Sequence, residues 1–146
     1  MEEQLLIQLY RENKSICDMI EADSQKYGIN HVQLYILMLS DENKMNVSTL
    51  ANLLNISKSA ISQAIVSLLL KRLITKRFDE SNKKIFYIKL TKKGKEIKEE
   101  LMECYFKKHQ LLQEKFGEDE LSNFIRLIQK FSDVLKEIMS CREETC

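Results

Sequence analysis

The stretch Val47–Arg72, VSTLANLLNISKSAISQAIVSLLLKR, decides how the rest of the chain is read. Two apolar-periodic segments, 47–54 and 57–72, are separated by Asn55 and Ile56 alone, room enough only for a sharp turn between helices. Ala51 is small where two crossing helices must approach, and Asn55 tolerates the left-handed conformation such a turn needs. In the second segment Ile61, Ile65 and Leu68 form an apolar stripe. The opposite face carries Ser57, Lys58, Ser59, Ser62, Gln63 and Ser67, all short or polar and rich in hydrogen-bonding groups.

Downstream, Leu73–Phe78 and Lys84–Leu90 are β-branched and aromatic and flank Asp79-Glu-Ser-Asn-Lys83, a run of turn formers and cations. A hairpin therefore follows the helix pair directly. Thr91 then caps a long charged helix to about Phe116. Gly117 breaks it, and Glu118, Asp119 and Glu120 place three acids on the positive end of a last helix. That helix carries Leu121, Phe124, Ile125, Ile128, Phe131, Leu135 and Ile138, close to a heptad seam. Upstream, Leu5, Leu6, Leu9, Ile16, Met19 and Ile20 predict an amphipathic helix from Glu2 to Tyr27, ended by Gly28. Asn30 caps a second helix through Val32, Leu34, Ile36, Leu37 and Leu39, which stops at the polar run Ser40–Lys44. The first and last helices have longer apolar faces than the lobe between them can cover, so a dimer joined at the chain ends is expected to bury them, with packing of the two on each other within one protomer as the alternative.

The composition agrees with a mainly helical chain, since 146 residues contain no proline and 3 glycines. Hydrophobic residues at 44% and charged residues at 31% are globular values, and without a repeat or linker the expectation is one domain, 1–146. No apolar run reaches the ~18 to 20 residues of a membrane helix, and the first residues are acidic, so a cytoplasmic protein without membrane contact is expected. Cys17, Cys104, Cys141 and Cys146 form no CxxC pair and are read as free thiols. The net charge of +1 hides a segregation. Lys+Arg against Asp+Glu is 4 to 8 over residues 1–56, 12 to 3 over 57–98 and 7 to 11 over 99–146. A basic middle between acidic ends is the footprint of a polyanionic partner, with a solvated lysine-rich face as the alternative.

Enzyme chemistry is poorly served. His31 and His109 are the only histidines, neither lies in a metalloprotease motif or beside a spaced carboxylate pair, and the glycines build no phosphate-cradling loop. Cys104 and His109 are five residues apart and do not share a helix face. No catalytic residue, metal site or cofactor is expected. Nucleic-acid readout is served better. A helix exposing Ser, Lys and Gln side chains enters a major groove, where Gln pairs bidentately with adenine and Lys meets guanine or phosphate. The hairpin tip reaches an adjacent minor groove or its phosphates. The candidate double-stranded DNA contacts are Ser57, Lys58, Ser59, Ser62, Gln63 and Ser67, then Lys71, Arg77, Asn82, Lys83 and Lys84. Two rivals stand beside this assignment. One is a protein-interaction or dimerisation module of the same shape that never touches DNA. The other is a thiol-based sensor switching through Cys17 or Cys104.

These residues resemble the MarR family of winged helix-turn-helix transcriptional regulators. The resemblance spans essentially the whole chain and is most specific at Leu50-Ala-Asn-Leu-Leu-Asn-Ile-Ser57, Ala60-Ile-Ser-Gln-Ala-Ile-Val-Ser-Leu68, Leu73-Ile74 and Leu90-Thr91-Lys92-Lys93-Gly94. It implies a mainly α fold with a small two- or three-stranded β wing. Residues 1–29 and 99–146 would form the dimerisation helices of a homodimer, and 30–98 the DNA-binding lobe. It further implies a pseudo-palindromic operator, recognition helices in successive major grooves, wings in flanking minor grooves, and repression relieved by a small-molecule effector or other signal; no ligand-binding residue is assigned. Two positions depart from the family's pattern. Asn82 and Lys84 stand where its wing carries Asp-x-Arg, so Lys84 is a freer point charge, and Arg72 stands where a glycine often ends the recognition helix. Peroxide-sensing members hold a reactive cysteine near the start of the first helix, whereas Cys17 lies well along it. Zinc-sensing members are similar around Tyr35–Leu39 and Ile85–Tyr87, but Leu34 and Tyr35 replace the acid and histidine of their second helix.

Overall fold

The computed structural model describes residues 2–40 and 44–141. Met1, positions 41–43 of the predicted polar turn, and 142–146 with Cys146 lie outside the described residues. Helix α1 (Glu2–Ser24) gives way to a 3-10 turn over Gln25–Tyr27, so the single helix expected up to Tyr27 is tightened in its last three residues. The cause is local. Gly28 adopts φ +62°, its N–H donates to Gln25 O at 2.8 Å, and Ile29 N–H reaches back to Ser24 O at 3.3 Å. Helix α2 (His31–Leu39) opens with a reciprocal cap: Asn30 Oδ1 accepts from Gln33 N–H at 2.9 Å, while Gln33 Oε1 accepts from Asn30 N–H at 3.2 Å.

Helix α3 (Val47–Leu54) starts under Asn46, whose side chain accepts from Thr49 N–H at 2.8 Å, and ends at Asn55 with φ +53°. The left-handed residue lets Ile56 N–H return to Ala51 O at 3.1 Å and turns the chain by 115° into α4 (Lys58–Leu70). Helices α2, α3 and α4 converge on a core in which Ile36, Leu37, Leu50, Ile61, Ile65, Leu68 and Leu73 are fully buried, with Ala51 at the α3–α4 approach.

Strands β1 (Ile74–Phe78) and β2 (Phe86–Leu90) pair antiparallel from Ile74 with Leu90 to Phe78 with Phe86. Both are shorter than expected at their first residues. Leu73 N–H is committed to Leu68 O in the exit of α4, and Lys84 N–H to Asn82 Oδ1 in the loop, so neither joins the ladder. The sheet has two strands, and what could have been a third is a single bridge between Met45 and Ile88. Helices α5 (Lys92–Phe116) and α6 (Glu118–Cys141) follow, separated by Gly117 at φ +78°.

The chain groups into two compact units, 1–104 and 105–146. The first holds the whole core. In the second no described residue is buried, and Phe116 and Phe124 set their rings 6.0 Å apart. Among the described residues no single helix is long and apolar enough to cross a membrane.

Candidate nucleic-acid interface

Helix α4 buries Ile61, Ala64, Ile65 and Leu68, which fixes the rest of its circumference outward. Lys58, Ser59, Ser62 and Gln63 are all exposed. Neither Ser62 nor Gln63 makes a side-chain hydrogen bond to another described residue, so their donors and acceptors stand open to a partner. Ser57 has a structural task as well: its Oγ accepts Ala60 N–H at 3.1 Å and starts the helix, leaving its O–H to donate outward. Ser67 and Lys71 lie apart from this group. Both are half-buried, Lys71 Nζ donates to Ser67 Oγ at 3.3 Å, and the lysine stem runs beside Gly28.

The end of α4 shows how the chain manages without a glycine at position 72. Arg72 takes φ +59°, its N–H donates to Leu69 O at 2.9 Å, and Leu73 N–H donates to Leu68 O at 3.0 Å. This is a left-handed helix exit with the strain tolerated, and Thr91 Oγ1 donates to Arg72 O at 2.8 Å to hold it.

In the hairpin Arg77 is exposed opposite Tyr87, and Asn82, Lys83 and Lys84 are exposed at the tip. Asn82 does not orient the Lys84 ammonium: its Oδ1 accepts the Lys84 backbone N–H at 3.1 Å. The tip is organised instead by Asp79, whose role goes beyond that of the expected turn former. Its Oδ1 accepts Ser81 Oγ–H at 2.5 Å, Ser81 N–H at 2.9 Å and Asn82 N–H at 3.1 Å. These bonds, led by the Ser81 hydroxyl, hold the Asp79 carboxyl below the usual carboxylate range. An Asp followed two residues on by a donor is the sequence signature of such a turn. Two further cations lie against rings, Lys76 over Phe86 at 4.3 Å and Lys44 over Tyr87 at 5.4 Å.

Among the described residues no three His, Cys, Asp or Glu side chains gather as a metal site, and Leu34 is buried in the core. The Cys17 and Cys104 thiols are half-buried and that of Cys141 is exposed.

Comparison with known proteins agrees with this geometry. The sequence profile of the MarR family matches residues 27–85, which contain the helix pair and the wing up to its tip. The transcriptional regulator AdcR of Streptococcus pyogenes serotype M6 is 30% identical over 111 residues, spanning 76% of this chain and 67% of that protein. The crystal structure of the adhesin competence repressor AdcR from Streptococcus pyogenes superposes with a TM-score of 0.64 at 25% identity, over 87% of this chain and 97% of the other. That of the transcriptional regulator SlyA gives 0.80 at 20% identity over 91% and 94%, a likeness of fold alone.

Proposed function

Because the chain belongs to the MarR family, and is thus a DNA-binding transcriptional regulator rather than an enzyme, we propose that it acts as a homodimer on a pseudo-palindromic operator. The lobe of residues 30–98 reads the DNA, and 1–29 with 99–146 join the two copies. The observation that carries the DNA assignment is the exposed face of α4, where Lys58, Ser59, Ser62 and Gln63 stand outward beside a wing rich in cations. Ser57, Arg77, Asn82, Lys83 and Lys84 complete the contacts, with Ser67 and Lys71 at the margin.

The dimer is supported by what the C-terminal unit lacks. The described residues of that unit build no buried core, and α6 exposes Phe124, Ile125, Ile128, Phe131 and Ile138, an apolar face of the kind that a second copy covers. Helix α1 likewise exposes Leu5, Leu6 and Ile7. The streptococcal relative AdcR is an adhesin competence repressor, which supports repression here, and relief by a small ligand or other signal is what the family resemblance adds.

The test is selection of genomic fragments by the purified full-length chain, then titration of the selected fragment and a random duplex across salt, with sedimentation of the free protein. Tight, salt-sensitive preference for the selected fragment by a dimer is the expected result. Equal, weak binding to both duplexes, or a monomer at micromolar concentration, would contradict it.

A further inference from the structure

Resting on the DNA-binding assignment above, we infer that α4 selects adjacent A·T pairs: Gln63 takes an adenine edge and Val66 the 5-methyl group of a neighbouring thymine. At 3.6 residues per turn, Ser59, Val66 and Leu70 run along the middle of the exposed side of α4, opposite Ile61, Ile65 and Leu68, with Ser62 and Gln63 flanking them. Val66 is 53% exposed between Ser59, Ser62 and Gln63, with the still more exposed Leu70 one turn further on at the end of the helix. Between Lys58 and Lys71 the helix carries no charged residue, and it contains no arginine at all, so its middle has no guanidinium fork for guanine. Gln63 is the one side chain there that carries its donor and its acceptor on separate atoms, the bidentate pair that matches N7 and N6 of adenine.

Val66 offers only methyl groups. On the floor of a major groove the apolar feature is the thymine methyl, whereas a valine pressed on a G·C pair strips water from polar edges and returns no hydrogen bond. Spacing agrees with a two-pair reading. Three residues advance a helix by about 4.5 Å, and stacked base pairs by about 3.4 Å, so Gln63 and Val66 fall on neighbouring pairs.

The experiment uses duplexes that the full-length chain enriches from a randomised library. Thymines of the enriched core are replaced singly by deoxyuridine, which removes only the 5-methyl group, and adenines by 7-deazaadenine, which removes N7. At one position the wild-type protein is expected to lose about four-fold in affinity with deoxyuridine, the worth of one buried apolar carbon. Val66→Ala, a change at an exposed site, should bind the thymine and uracil duplexes equally. At the neighbouring pair 7-deazaadenine should weaken the wild type and leave Gln63→Ala unchanged. A G·C pair enriched where Gln63→Ala relaxes preference, or a deoxyuridine loss that persists undiminished in Val66→Ala, overturns the inference and leaves DNA reading standing. Enrichment of no sequence overturns both.

Discussion

Gly94 lies so close to the backbone of Leu73 that a Cβ built on the glycine would stand 2.0 Å from the Leu73 carbonyl oxygen. The same oxygen accepts Thr91 N–H at 3.0 Å, and Thr91 Oγ1 in turn accepts Gly94 N–H at 3.0 Å. The first turn of α5 is thereby stitched to the exit of α4, which explains physically why Leu-Thr-x-x-Gly stands at this place: a buried leucine, a cap and a close approach. Gly94→Ala should destabilise the fold by about 1–3 kcal/mol, toward the upper end because the obstacle is backbone. Chemical denaturation of the two proteins checks it. Equal midpoints would mean that α5 shifts at no cost.

Arg72 is expected to respond in the opposite direction. An L-residue in the left-handed region costs roughly 1–2 kcal/mol, of which glycine avoids most while losing some backbone entropy. Arg72→Gly should therefore raise stability by about 0.5–1 kcal/mol, read as a higher melting temperature. A lower melting temperature would show that the arginine side chain contributes more than its backbone costs.

Glu100 ties α5 to the turn after α1, accepting hydrogen bonds from Lys26 Nζ and from the Tyr27 hydroxyl. Lys26 first, and Tyr27 next, hold its carboxyl below the ordinary glutamate value. With the folded value below the unfolded one, the stabilisation is complete above the unfolded value of about 4.3 and is lost as pH falls through the folded value. Glu100→Gln should melt below the wild type at pH 7, by a small and salt-sensitive margin because the pair is exposed, and the gap should close as pH is lowered from about 5 toward 3. A gap independent of pH would assign the effect to packing.

The wing lysines are expected to contribute affinity without sequence preference. Lys83→Ala and Lys84→Ala should each weaken specific and random duplexes by similar factors and reduce the slope of log K against log salt by about 0.9 per phosphate contact removed. Unchanged slopes in both variants would place the hairpin tip away from DNA and favour a protein-docking role for this lobe.

Asp79 sets the shape of that tip through three hydrogen bonds to one oxygen. Asp79→Ala should loosen the loop and weaken DNA binding even though it removes a negative charge. Tighter binding in this variant would show that electrostatic repulsion by Asp79 outweighs its role in ordering the loop.

Much of the fold was legible because it is written in short-range chemistry. Asn30 is a helix cap and Asn55 a left-handed turn residue, and each acts within four positions of itself. The hairpin boundaries were less legible. In β1 only Ile74 is buried and the next four residues are exposed, so that strand shows no alternation to read. The Gly94–Leu73 approach and the Lys26–Tyr27–Glu100 contact join residues distant in sequence, and no local pattern announces them. On the candidate site, the face of α4 followed from its apolar stripe, but Lys71 was not separable from it, because the packing of its stem beside Gly28 joins residues distant in sequence.

The central claim is that the exposed face of α4 reads sequence, and Gln63→Ala tests it most directly. Affinity of wild type and variant is measured on the enriched duplex and on a random duplex at one fixed salt concentration. The account predicts that the variant keeps its affinity for random DNA and loses preference for the enriched duplex by about 1–3 kcal/mol, roughly 5- to 150-fold. Equal losses on both duplexes, or none on either, would contradict it.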